Sequence, residues 1–329
     1  MTGAEIKEVE EASRARKIAR GVLRHENFVL GMILAGVLGI FGGLSKGYSV
    51  GPTNIINILI ASSTRGVAAV GQAFVILTAG IDLSVGGMAL YALTLGAMLM
   101  VGGIGLSLGP TIAIMMIMGI GMGMVNGVFV SRVNMPPLIV TLAMWGILRG
   151  MAYQVTGGRL ISPLPEEIAF VGQGRIAGAP VVIIVFVAVA IVAYFVLNYT
   201  TFGRSVYAVG GSPTSAWLSG VNVRNVLFSV YAISGLCGAL AGLIIMSRTL
   251  VASMQSVPAL ELDAISAVVI GGVSLMGGRG SIIGVVLGVL ILGVIHNGMG
   301  VLAVDPAFQD MVKGTIIYAA VAIDYLRRR

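Results

Sequence analysis

A polytopic bundle of transmembrane α-helices is the fold class this sequence predicts, and three observations predict it. Of 329 residues 57% are hydrophobic and only 10% are charged, where a soluble domain carries roughly 25% charged residues. The mean hydropathy is +1.01, more apolar surface than a soluble fold can hide. The charges also avoid the apolar stretches: eleven fall in the first 26 positions, and Arg327, Arg328 and Arg329 close the chain. A formal charge of +7 therefore does not describe a nucleic-acid-binding face, because the basic residues sit in short segments flanking apolar runs.

The elements follow in order. Residues 1–27 read as a cytoplasmic amphipathic segment rather than a cleavable signal, since mixed Glu and Arg fill them and the next apolar run continues into further spans. Ile6, Val9, Ile18 and Val22 fall at loosely helical spacing among Lys and Arg, which suits a helix lying on the membrane surface or a solvated tail. A transmembrane body occupies 28–329. About 20 apolar residues cross a bilayer, and Lys and Arg favour the cytoplasmic side. From a cytoplasmic N-terminus, those rules place spans at 28–46, 54–79, 83–101 and 110–130, returning the chain to Arg132 inside. Residues 138–156 then lead to an outer loop with Glu166 and Glu167, and 181–197 returns to a cytoplasmic loop at about 199–224 holding Arg204 and Arg224. Segments at 226–246, 261–276, 281–302 and 308–326 complete about ten, with both termini inside. The segment 261–276 is short and ends in Gly277 and Gly278, so it reads as broken or re-entrant, which requires protein or water around it.

The 48 glycines imply close helix packing, with small-xxx-small pairs at Gly119/Gly123, Gly146/Gly150, Gly238/Gly242 and Gly284/Gly288. Residues 75–86 and 269–278 both run apolar into a Gly-rich turn, and Asn126-Gly127 is echoed by Asn297-Gly298, which fits two related halves. The single Cys237, in a Gly- and Ala-rich stretch, forms no intrachain disulfide.

Polar residues at lipid depth are the candidate solute path: Arg65, Gln72, Asp82, Ser84, His296 and Asn297. Asp82 follows a break at Gly80, so its carboxylate either caps the next helix through the amides of Ser84 and Val85 or faces a polar solute. Arg65 either tunes the solute or ties to Asp82. Glu261 and Asp263 open a segment, as a helix cap or as outer-vestibule charges. His296 is either packed in the core or pore-lining.

Enzymatic motifs do not hold up. Gly47-Tyr48-Ser49-Val50-Gly51 spells a nucleophile elbow but follows a transmembrane span rather than a strand. The only histidines, His25 and His296, support neither a metal cluster nor a Ser-His pair, and no phosphate-binding G-x-x-x-x-G-K-[ST] loop occurs. The chain reads as non-catalytic and without a cofactor; any ATP-Mg belongs to another chain.

Between about Asn54 and Asp324 the sequence resembles the ribose-type permeases of ATP-binding-cassette importers. The residues that carry the resemblance are the run 74–86 (Phe74 to Gly86, through Gly80-Ile81-Asp82-Leu83-Ser84) and Ile139-Val140-Thr141-Leu142 with Arg149-Gly150 and Thr156-Gly157-Gly158. Further on come Thr201-Phe202-Gly203-Arg204, Tyr207 to Gly211 and Leu218-Ser219-Gly220-Val221, then Glu261-Leu262-Asp263-Ala264-Ile265 and 269–275. The resemblance implies a sugar or sugar-like solute, a second permease subunit (identical or related), an extracytoplasmic solute-binding protein and a cytoplasmic ATPase with two fused nucleotide-binding domains. It also makes the 199–224 loop similar to the one that docks on the ATPase, with Gly203, Arg204, Ser212, Pro213, Trp217, Leu218, Ser219 and Gly220 as coupling residues. Ser212-Pro213 is a good helix start, with Ser as cap and Pro at the first position. The sequence departs from the family pattern at Arg65 and Gln72 and lacks glycines over 253–260. An ion-coupled secondary transporter using Asp82, Glu261 or His296 is the alternative.

Overall fold

The computed structural model describes residues 26–101 and 104–326. The surface segment expected over 1–27 thus lies almost wholly outside the described residues, as do the terminal arginines. Thirteen α-helices are present among the described residues: α1 Glu26–Leu44, α2 Pro52–Leu77, α3 Ser84–Val101, α4 Leu108–Ser131, α5 Pro137–Thr156, α6 Ala169–Gln173, α7 Val181–Tyr199, α8 Thr201–Gly211, α9 Pro213–Leu218, α10 Val223–Thr249, α11 Leu260–Ile270, α12 Ile282–Val301 and α13 Pro306–Leu326. The only sheet there is a two-residue hairpin, β1 Arg175–Ile176 with β2 Ala179–Pro180.

All ten expected segments carry a helix, and eight of these helices are long and apolar enough to cross a membrane. The two exceptions have physical reasons. At 11 residues and 1.5 Å per residue, α11 reaches about 16 Å, roughly half a bilayer. The chain then continues through the irregular stretch 271–281, the broken form expected at 261–276. Helix α13 is long enough at 21 residues but carries Asp310, Lys313 and Asp324.

Two helices form the axis. In α2, 78% of the most apolar window is buried inside the protein, and α10 packs against α4, α2 and α3. Glycine makes these contacts close. A methyl group at Gly235 would strike the carbonyl of Gly119, one at Gly123 that of Tyr231, and one at Gly242 that of Ala89. The Gly284/Gly288 pair meets the backbone of Gly271 and Ala267 in the same way, bringing α12 onto α11. Lipid gives apolar helices no hydrophobic reason to associate, so such backbone proximity supplies the packing energy. Gly146 and Gly150 differ: a methyl at either would meet no described atom within 4 Å. The close packing expected of that pair is not made among the described residues.

The two ends of the bundle are distinct. Loops 157–180 and 250–259 share one end, joined by a β-bridge between Ile161 and Ala252 and by the Gln173 side-chain amide donating to the Arg248 carbonyl at 3.0 Å. Helices α8 and α9 form the other end.

Candidate solute path and coupling surface

The break between α2 and α3 is a closed polar core. Helix α2 stops because Ala79 takes a left-handed conformation, φ 61°, and the amide of Gly80 turns back to the Val75 carbonyl at 3.0 Å. Two residues past Gly80, Asp82 is fully buried. Its Oδ1 accepts from the Ser84 amide at 2.9 Å and from the Ser84 hydroxyl. Its Oδ2 accepts from the Ser234 hydroxyl on α10 at 2.6 Å, and the Asn126 amide on α4 donates to Ser84 Oγ at 2.8 Å. The Gln72 amide, in the orientation that satisfies both its ends, donates to the Asp82 carbonyl at 2.9 Å and accepts from the Asp82 amide at 3.1 Å. Asp82 therefore caps α3 through Ser84, without the bond to Val85, and ties α2, α3, α4 and α10 together. Gln72, Asp82 and Ser84 are all fully buried in this conformation.

Arg65 does not tie to Asp82. Its Nε lies 2.9 Å from Asp263 Oδ2, and Lys313 Nζ lies 3.0 Å from Asp263 Oδ1. One carboxylate thus joins α2, α11 and α13, each through a charge that alone at mid-membrane costs ~2.5–3.5 kcal/mol on insertion scales. Asp263 is consequently not a helix cap: α11 begins after Ala259, with no side-chain cap bond. Glu261 sits elsewhere, its carboxylate against Gly86, where a methyl would strike Glu261 Oε2. Nearby, Arg248 Nη1 donates to Thr64 Oγ1 at 3.1 Å.

His296 and Asn297 line an open cleft of about 890 Å³ with Lys46, Tyr48 and Gln309. Asn297 and Asn54 exchange amide bonds at 2.8 and 3.2 Å. Neither Gln72 nor Asp82 lines this cleft, and His296 also shares a small pocket with Arg65, Asp263 and Lys313, so the six candidate path residues form two groups: the buried break with Gln72, Asp82 and Ser84, and a second set with Arg65, His296 and Asn297.

At the other end the coupling candidates are held by local capping. Thr200 Oγ1 accepts from the Gly203 amide at 3.1 Å, starting α8. Ser212 Oγ accepts from the Ser215 amide at 3.2 Å, with Pro213 as the first residue of α9. Trp217 and Leu218 stand out at 66% and 73% exposure, a protruding apolar pair beside a cleft of about 730 Å³ lined by Ser131, Asn134, Pro213, Gly220 and Arg224. Arg204 is exposed, while Gly203 is buried.

Helix α8 also touches the break. A methyl at Gly210 would strike the Leu77 carbonyl, which itself accepts from the Gly278 amide at 2.9 Å. The Tyr207 hydroxyl donates to the Gly280 carbonyl at 3.0 Å, and burial raises its phenol above the ordinary pKa, keeping it a donor. The Phe74 and Phe202 rings stack at 6.5 Å. The two apolar runs noticed in the sequence, 75–86 and 269–278, thus meet near their Gly-rich turns, 77–80 and 277–280, beneath α8.

Residues 54–321 match the family model described as branched-chain amino acid transport system / permease component. The chain belongs to this permease family. The permease is 41% identical over 275 residues to the ribose import permease protein of Bacillus subtilis, covering 83% of this chain and 85% of that one. It is 35% identical over 294 residues to the D-allose transport system permease protein of Escherichia coli, covering 89% and 90%. With the fructose import permease protein of Rhizobium meliloti it shares 38% over 309 residues, covering 92% and 84%. No solved structure matches. A multi-pass membrane transport component is therefore the identity, and an ion-coupled transporter finds no support among these relatives.

Four side chains in these arrangements escaped sequence reasoning as site residues: Asn126, Ser234, Arg248 and Lys313. Each is a single polar group in a helix, and only their partners, 42 to 184 positions away, give them meaning.

Proposed function

We propose that this permease is the membrane subunit of an ATP-driven importer for a sugar or sugar-like small polar solute, moved by alternating access. The observation that carries the reading is the agreement of the relatives: permeases named for ribose, D-allose and fructose each align over more than four fifths of this chain. The family's description names branched-chain amino acids instead, and those are the competing solute class.

In this reading the 28–329 body works with a second permease subunit, an ATPase with two fused nucleotide-binding domains that brings ATP-Mg, and a solute-binding protein outside. The termini and α8–α9 face the cytoplasm, and loops 157–180 and 250–259 face outward. Trp217 and Leu218 seat in the ATPase. A push on α9 passes to α8, and through Gly210 and Tyr207 to the turns at 77–80 and 277–280, so that force arrives at the Asp82 break. Glu261 and Asp263 belong to the outer half of the path.

Reconstitution of the permease with an ATPase and binding protein encoded beside it tests this. ATP-dependent uptake of labelled D-ribose, D-allose or D-fructose in preference to leucine is the expected result. Preferential leucine uptake refutes the solute class, and uptake driven by an ion gradient without the ATPase refutes the engine.

A further inference from the structure

One face of α5 fits neither lipid nor a dry helix contact. Gly146, Arg149, Gly150 and Tyr153 follow at i, i+3, i+4 and i+7, and all four are exposed. Arg149 lies 12 residues past Pro137 and 7 before Thr156, about 18 Å and 10 Å from the two helix ends, well inside a hydrocarbon core. Among the described residues it pairs with no carboxylate within salt-bridge reach; its guanidinium lies 5.3 Å from the centre of the Trp145 ring. Intramembrane arginines face a water-filled cavity or the protein interior, because hydrocarbon leaves their donors unmet. The neighbouring glycines leave the helix surface open to 4 Å. Loop residues Met254 and Gln255 complete a cleft of about 460 Å³ with Gly146, Arg149, Gly150, Tyr153 and Gly158, inside the range of about 300–1,000 Å³ usual for small-molecule sites. A methyl at Gly158 would strike the edge of the Tyr153 ring, so the bare glycine leaves room for that ring.

We infer that this face of α5, with Gln255, lines a water-filled path and receives a neutral polyhydroxylated solute. The inference rests on the reading of the permease as an importer of sugar-like molecules, and it assigns the contact surface on this chain. The chemistry of the lining selects the solute. A guanidinium fork offers five N–H donors, the Gln255 amide offers both a donor and an acceptor, and the lining holds no carboxylate. Hydroxyl-rich molecules satisfy such a set, with the Tyr153 ring as an apolar wall and the bare glycine backbone letting the solute approach the helix. A dry contact with a second copy of the chain would instead require that copy to bring acceptors for the Arg149 donors.

Cysteine accessibility in the assembled transporter tests the inference. Cys237 is buried, so a Cys237→Ala background carrying Gly150→Cys or Gln255→Cys reports each position alone. A charged, membrane-impermeant methanethiosulfonate reagent should modify both, D-ribose delivered with its binding protein should slow the reaction, and modification should cut labelled D-ribose uptake about tenfold or more. Arg149→Lys keeps the charge but loses the fork, and should cut uptake similarly while leaving Gly150→Cys reactive. Lack of modification in assembled transporter overturns the inference, as does modification with uptake unchanged. Failure of the importer reading is distinct: there the unmodified wild type takes up none of D-ribose, D-allose and D-fructose with its engine present.

Discussion

The bond between Ser234 and Asp82 is the most direct handle on the polar core. Ser234→Ala removes the one donor that Asp82 Oδ2 has among the described residues, at 2.6 Å, and both residues are 0% exposed, so water does not replace it. A hydrogen bond to a charged group contributes ~1.5–3 kcal/mol in soluble proteins, whereas side-chain bonds in a membrane average ~0.6 and reach ~1.7 kcal/mol. Complete burial and the acidic acceptor place this bond at the upper membrane value, about 1.5 kcal/mol. The assay is a double-mutant cycle of Ser234→Ala and Asp82→Ala, read by reversible unfolding of the purified protein in mixed micelles. The double mutant should be more stable than additivity predicts by about 1.5 kcal/mol, because each single mutant has already lost the shared bond. Additivity within ~0.3–0.5 kcal/mol refutes the coupling, as does a Ser234→Ala cost under ~0.5 kcal/mol.

Other perturbations address the remaining contacts. Gly210→Val puts a branched side chain against the Leu77 carbonyl and the Gly278 amide; it should abolish ATP-driven uptake while leaving solubilised protein folded by circular dichroism. Trp217→Ala removes an exposed ring, so it should leave the melting temperature unchanged but weaken co-purification of the ATPase and its stimulation by solute. Asp263→Asn strands Arg65 and leaves Lys313 only the exposed Asp310 at 3.8 Å, whereas Arg65→Gln leaves Asp263 one partner, so the first should destabilise the protein more in the same unfolding assay; equal losses would show that the Lys313–Asp263 pair contributes nothing.

Element placement was legible because the bilayer imposes it: apolar length and loop charge fix where helices fall, and the cap at Ser212-Pro213 is local chemistry that the sequence displays in full. Partner choice was not legible. Arg65 precedes Asp82 by 17 positions and Asp263 by 198, yet it pairs with Asp263, because the short α11 carries Asp263 to the level of Arg65 while the turn after Gly80 folds Asp82 toward α10. Glycine pairs divide for the same reason. Gly119/Gly123 and Gly146/Gly150 are the same four-residue pattern, but only the first pair has another helix against it. A pattern marks a smooth face without saying what covers it.

The seam between α4 and α10 has a mechanical consequence. Where Gly119 and Gly123 meet Gly235, Tyr231 and the small Ala239 methyl, the contact is nearly backbone on backbone, so no long side chain must disengage or change rotamer for one helix to move past the other. Prying the pair apart forfeits dispersion contacts along the seam, while a short axial glide exchanges each contact for a similar one. The seam is therefore stiff against separation and compliant along its length. Ser84 is held by Asn126 on α4 and, through Asp82, by Ser234 on α10, so these bonds bridge the same two helices and act as the detent on that track. Their strength sets how large a push must be before the helices slip to a new register.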